Sequence, residues 1–166
     1  VIQIENEYYN PIRPKQITER CERPTTALHK RGVAYVELRC VDLNPLEPSG
    51  FSRDQALFSE LFALWCLLQP SPDLSNAERT AFEHNVESIA SMGRHPDATI
   101  SVGGKSHQFI GWASGVLENL LPLAERLDVE TNKGFVAVLH KQQAKIDRPE
   151  LTPSAQLLAE REAGQY

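Results

Sequence analysis

Val33-Ala34-Tyr35-Val36-Glu37-Leu38-Arg39-Cys40-Val41-Asp42, residues 33–42, is the stretch whose reading decides the fold. Ala34, Val36, Leu38 and Cys40 form one apolar row; Val33, Tyr35, Glu37, Arg39 and Val41 alternate with them. A period of two is a β-strand with two unlike faces. Immediately upstream, Pro24 follows Arg23 at a first-turn position and Gly32 stands where a C-terminal cap belongs, which predicts a short helix over 24–31. Further back, residues 1–9 alternate too, with Ile2, Ile4, Asn6 and Tyr8 on one side and Gln3, Glu5, Glu7 and Tyr9 on the other. They predict a first strand. Asn10-Pro11 and Arg13-Pro14 then give an extended, proline-stiffened segment. The chain opens Val1-Ile2-Gln3-Ile4, as though inside a strand, and is expected to be a piece of a longer protein.

Downstream the periodicity changes. Asn44-Pro45 and Glu47-Pro48-Ser49-Gly50 make an irregular connection. Ser52-x-x-Gln55 is a capping box, and Leu57, Phe58, Leu61, Phe62, Leu64, Trp65 and Leu68 follow as a wide apolar stripe at helical spacing. Cys66, among Leu64, Trp65 and Leu67, is expected to fill core space. Ser75-x-x-Glu78 opens a second boxed helix that runs to about Ser91, with Gly93 behind it. Residues 98–102 read equally well as a short strand or a loop. Helix formers dominate from Phe109 to Leu127, where Pro122 should kink or split the helix. Phe135 to Ile146 is amphipathic, and Thr152-Pro153 opens a last helix. Strands followed by helices define an α+β class.

Composition narrows the function. The 166 residues carry a formal charge of −5, against the basic balance usual in nucleic-acid binders. No apolar run approaches the ~20 residues that span a bilayer. Three cysteines without short spacing fit neither a disulfide framework nor a zinc site, and free thiols fit a reducing cytoplasm.

Glu37 and Arg39 are the most suggestive pair. Two residues apart on a strand, they share a face, with backbones ~7 Å apart. A carboxylate can ligate a hard cation such as Mg²⁺, and a guanidinium can fork onto phosphate oxygens. A solvated ion pair is the plainer reading of the same triplet. The polar row Gln3, Glu5, Glu7, Tyr9 could join it as one floor, or be a wet sheet face. Arg13-Pro14-Lys15 sets two cations on a stiff segment, suited to a carboxylate or phosphate or simply to water. Gly103-Gly104-Lys105-Ser106 resembles a phosphate loop only superficially, because Thr99 stands where that motif needs glycine.

Taken in order, Gln3-Ile4-Glu5-Asn6-Glu7-Tyr8-Tyr9, Ile12-Arg13-Pro14-Lys15, Arg31-Gly32-x-x-Tyr35-x-Glu37-x-Arg39 and Asp42-x-Asn44-Pro45 resemble the glutamate–cysteine ligases of proteobacteria. So do Asn85, Gly93-Arg94-x-Pro96 and Leu151-Thr152-x-Ser154-Ala155; residues 105–147 match weakly, and Gln156 departs from a basic residue. The resemblance implies a glutamine-synthetase-like fold, of which residues 1–166 would be a C-terminal part, with active-site strands over 1–45 and a helical region over 52–166. It implies ATP-dependent joining of the γ-carboxylate of L-glutamate to L-cysteine, the first step of glutathione synthesis, in the cytoplasm, with Mg²⁺ as cofactor. Glu37 matches the metal-ligating glutamate, Arg39 the arginine on the transferred phosphate, and Tyr9 a tyrosine lining the cysteine pocket. Arg13 and Lys15 lie in a substrate-binding motif. The other metal ligands of the family belong to an N-terminal region that this sequence does not include, so the chain alone is expected to be inactive, to need the remaining part of the enzyme, and to expose an edge through which copies could associate. No nucleic acid and no membrane is expected as a partner. The competing readings are a related carboxylate–amine ligase with another acceptor, and a non-catalytic helical interaction module.

Overall fold

The computed structural model describes residues 11–164, so the strand expected over residues 1–9 lies outside the described residues. The chain divides into two compact units, at Leu43 and Asn44. The elements run β1 (Ile12–Lys15), α1 (Pro24–Arg31), β2 (Tyr35–Leu38), α2 (Arg53–Leu67), α3 (Asn76–Met92), β3 (Thr99–Val102), β4 (Lys105–Gln108), α4 (Phe109–Thr131), α5 (Phe135–Asp147) and α6 (Pro153–Glu162), with a short 3₁₀ turn at Pro149–Leu151. The class is α+β, mostly helical.

In the first unit β1 and β2 pair antiparallel, with Ile12 opposite Leu38, Arg13 opposite Glu37, Pro14 opposite Val36 and Lys15 opposite Tyr35. The proline-stiffened segment is therefore itself a strand. The Arg39 amide donates to the Pro11 carbonyl at 2.7 Å. Hydrogen-bonded pairs alternate along an antiparallel ladder, so this bond puts Pro14 at a position whose nitrogen points away from β2. Its missing N–H costs the pair nothing. The strand expected over 33–42 is shorter, at Tyr35–Leu38. Its apolar row is not core in this unit: Ile12 is 47% exposed, Val36 49% and Leu38 38%.

Helix α1 keeps its expected bounds, with Gly32 at φ 74° closing it onto the Leu28 carbonyl. Arg31 sets its exit. One guanidinium nitrogen reaches the Ile17 carbonyl at 2.8 Å, and both grip Glu22, at 3.1 and 2.5 Å. The Gln16 amide donates to the Gly32 carbonyl at 3.0 Å. These bonds tie the end of β1 to the start of β2 and so fix the register between them.

In the second unit both capping boxes form as read, at Ser52 with Gln55 and at Ser75 with Glu78. The core is Leu57 and Leu61 of α2, Leu117, Leu120 and Ala124 of α4, and Phe135, Val138 and Leu139 of α5. Each fully buried large side chain contributes roughly 1.5–3 kcal/mol of transfer free energy. Cys66 is a correction to the expected core list: it is exposed, because the buried face of α2 runs through Leu57 and Leu61 and carries Cys66 to another side. Pro122 does not split α4, which continues to Thr131. Glu118, whose carbonyl loses its usual donor, and Pro122 are both exposed, while the flanking Leu117, Leu120 and Ala124 are packed. Water can satisfy that carbonyl, and burial on the opposite face holds the helix together.

Residues 98–102 resolve as half of a hairpin. β3 and β4 pair across Gly103-Gly104, both at positive φ (57° and 74°), the conformation that a two-residue hairpin turn requires. The Asn85 side-chain amide binds Ser101 twice, donating to its carbonyl and accepting from its amide at 2.8 Å each. It thus acts as one more rung of ladder between α3 and β3. Asp128, near the end of α4, accepts from the amides of Gly134, Phe135 and Val136 at 2.8, 2.8 and 2.9 Å, and so caps α5.

Candidate functional site

The β1–β2 register gathers the charged residues singled out above. Arg13 stands directly opposite Glu37, Lys15 one rung further along, and Arg39 just beyond the end of β2. Period two puts all four on the same face. The ammonium of Lys15 lies 3.0 Å from Glu37 Oε2, and Arg39 Nε lies 3.4 Å from Glu37 Oε1. Each carboxylate oxygen therefore has its own cation. The three side chains are about a third exposed, at 31% for Lys15 and 38% for Glu37 and Arg39. They are neither sealed nor turned into bulk water. The Lys15 ammonium beside it, helped by the charges of Arg39 and Arg13, holds the Glu37 carboxyl below the usual carboxylate range against a smaller opposing effect of burial.

Among the described residues, three cations around one carboxylate leave this face two positive charges in excess. Such a face suits a polyanion: a guanidinium fork and an ammonium can each take phosphate or carboxylate oxygens. Glu37 offers the oxygen donor that a hard divalent cation takes. Alone it is an incomplete set, since among the described residues no three His, Cys, Asp or Glu side chains come together. Glu37 thus offers one carboxylate ligand and not, among the described residues, a complete metal site. Tyr9, together with Gln3, Glu5 and Glu7, lies outside the described residues.

The sequence reading missed Glu22 and the work that Arg31 and Gly32 do in building this face. Arg31 and Gly32 belong to the motif around Glu37, and the structure gives them the work of setting the strand register. Glu22, whose carboxyl the Arg31 guanidinium pulls down to about 2, completes that anchor. The signal that could have found it is the charge pattern of Glu22 with Lys30-Arg31 at the end of a short helix. Gly103-Gly104 is a hairpin turn, in keeping with its rejection as a phosphate loop. Among the described residues no helix is long and apolar enough to cross a membrane.

A family model described as Glutamate-cysteine ligase matches residues 1–89. The glutamate–cysteine ligase of Alcanivorax borkumensis is 43% identical over 164 residues, 98% of this chain and 31% of the relative. That of Azotobacter vinelandii is 45% identical over 160 residues, 96% of this chain and 30% of the relative. Among solved structures, a glutamate–cysteine ligase from Francisella tularensis in complex with AMP matches with a TM-score of 0.85 and 32% identity, over 95% of this chain and 31% of that one. The chain therefore spans about 31% of the length of the relatives that it matches.

Proposed function

The chain belongs to the glutamate–cysteine ligase family, and from that premise we propose that it forms part of the nucleotide- and metal-binding floor of an ATP-dependent ligase joining L-glutamate to L-cysteine. Residues 1–45 would be its active-site strands and residues 52–166 a helical region of the same catalytic domain. The observation that carries the reading is the surplus of positive charge around Glu37 on the β1–β2 face.

In the reaction, the γ-carboxylate of glutamate attacks the terminal phosphoryl group of ATP, and ADP leaves. The cysteine amine then attacks the acyl carbon, phosphate departs, and the amine gives up a proton. Positioning and charge neutralisation supply most of such catalysis. Arg39 holds the oxygens of the transferred phosphoryl group, where charge builds. Arg13 and Lys15 hold anionic groups of the substrates. Glu37 is one protein ligand of Mg²⁺, which when bound screens phosphate charge. Tyr9 lines the cysteine pocket. The remaining ligands come from other parts of the enzyme, so this polypeptide alone makes no γ-glutamylcysteine. The AMP held by the Francisella tularensis relative supports an adenine nucleotide as co-substrate, and three exposed free thiols among the described residues are consistent with a reducing cytoplasm.

The test uses the complete ligase carrying this segment, assayed for ADP and γ-glutamylcysteine. Arg39→Ala should lower kcat by about 10²–10³-fold, as loss of a preorganised charge-stabilising donor does, without loss of folding. Glu37→Ala should weaken Mg·ATP binding. Full activity in both variants, or dipeptide formation by the isolated chain, overturns the reading.

A further inference from the structure

We propose that Lys15 is an internal counter-cation that keeps Glu37 Oε2 occupied until a triphosphate draws its ammonium away, so that the carboxylate becomes available to a divalent cation chiefly when nucleotide arrives. The inference rests on the reading of Glu37 as a metal ligand and goes beyond it, to the order in which the site fills.

The register carries the argument. Arg13 is the residue directly opposite Glu37, yet the closest cation is Lys15, one rung away on the diagonal, at 3.0 Å. Diagonal neighbours on a strand pair lie ~7–8 Å apart at the backbone, so Lys15 extends its long stem to reach this oxygen. Arg39 Nε, just past the end of the same strand, sits at 3.4 Å from the other oxygen. The two oxygens are thus held differently: Oε1 by the guanidinium assigned to phosphate, Oε2 by a flexible ammonium. A divalent cation arriving alone at Oε2 meets three positive charges and must displace one of them. A triphosphate offers Lys15 a richer set of oxygens and reverses the sign of the field. The pair is about a third exposed and such pairs are weak, so the exchange meets little resistance. Lysine suits it, being a compact charge on four rotatable carbons.

The experiment uses the complete ligase with Mn²⁺ as the probe. Free Mn²⁺ is followed by electron paramagnetic resonance, with and without a non-hydrolysable ATP analogue. The unaltered enzyme should bind Mn²⁺ weakly alone and more tightly with the analogue. Lys15→Met should raise the affinity for Mn²⁺ alone by about three- to ten-fold, the size of one unit charge removed at contact distance in a wet site, and should shrink the coupling between metal and nucleotide. Lys15→Arg should retain most of the coupling. Unchanged or weaker Mn²⁺ binding in Lys15→Met overturns the inference, even where Glu37→Gln abolishes the site. Unchanged binding in Glu37→Gln overturns instead the reading of Glu37 on which the inference rests.

Discussion

The two units of the chain divide the labour unequally. From residue 11 to 43, the sole buried side chain among the described residues is Ala27, and three cations are gathered on one carboxylate. From residue 44 onward three helices enclose a continuous core of leucines, valine and phenylalanine, and among the described residues no polar or charged side chain is buried in it. The first unit has chemistry and almost no packing; the second has packing and little chemistry. A two-stranded sheet is marginal by itself, and one with its apolar row exposed depends on cover from outside its own strands. The proposed site sits where stability is least self-supplied, so stability and activity should respond to different substitutions.

The largest expected effect tests the packed side. Phe135 is 1% exposed, and Phe135→Ala should destabilise the second unit by about 3–5 kcal/mol in urea unfolding. A loss below about 1 kcal/mol would mean that the core is not where the stability lies. Arg39→Ala, by contrast, should leave that unfolding midpoint unmoved while activity falls. A smaller effect follows from the cap on α5. Asp128→Ala removes the acceptor of three amides and should cost about 1–2 kcal/mol in the same measurement, with Asp128→Asn recovering part of it. The smallest effect belongs to the charged side and depends on pH. The Glu22 carboxyl is lowered from an ordinary 4.5 to about 2 by the Arg31 guanidinium. Its contribution is therefore fully present above about 4.5 and is lost as pH falls through about 2. The difference in melting temperature between the unaltered protein and Glu22→Gln should shrink across that window; a constant difference would detach Arg31 from the register it sets.

What the sequence made legible was local. Both capping boxes, the Pro24–Gly32 helix and the shared face of Glu37 and Arg39 depend on residues at most eight positions apart, and each emerged as read. What stayed hidden depends on register or on a choice between chemistries. Lys15 reaches Glu37 because β1 pairs with β2, which no spacing within either strand reveals. The Arg13-Pro14 segment reads only as extended, because whether a proline's missing N–H matters depends on which way it faces. Gly103-Gly104 was weighed against a phosphate loop, and that question hid the simpler one of a two-residue turn. Cys66 was placed by its apolar neighbours in the chain, whereas burial follows the helix face.

Pro14 has one more consequence. On the side of β1 away from β2, the backbone at position 14 presents a carbonyl and a side-chain ring but no amide donor. A polypeptide laid down that margin must skip a rung there, and a long uninterrupted ladder cannot grow through it. A proline that is silent toward β2 thus removes one rung from any ladder on the other side of β1.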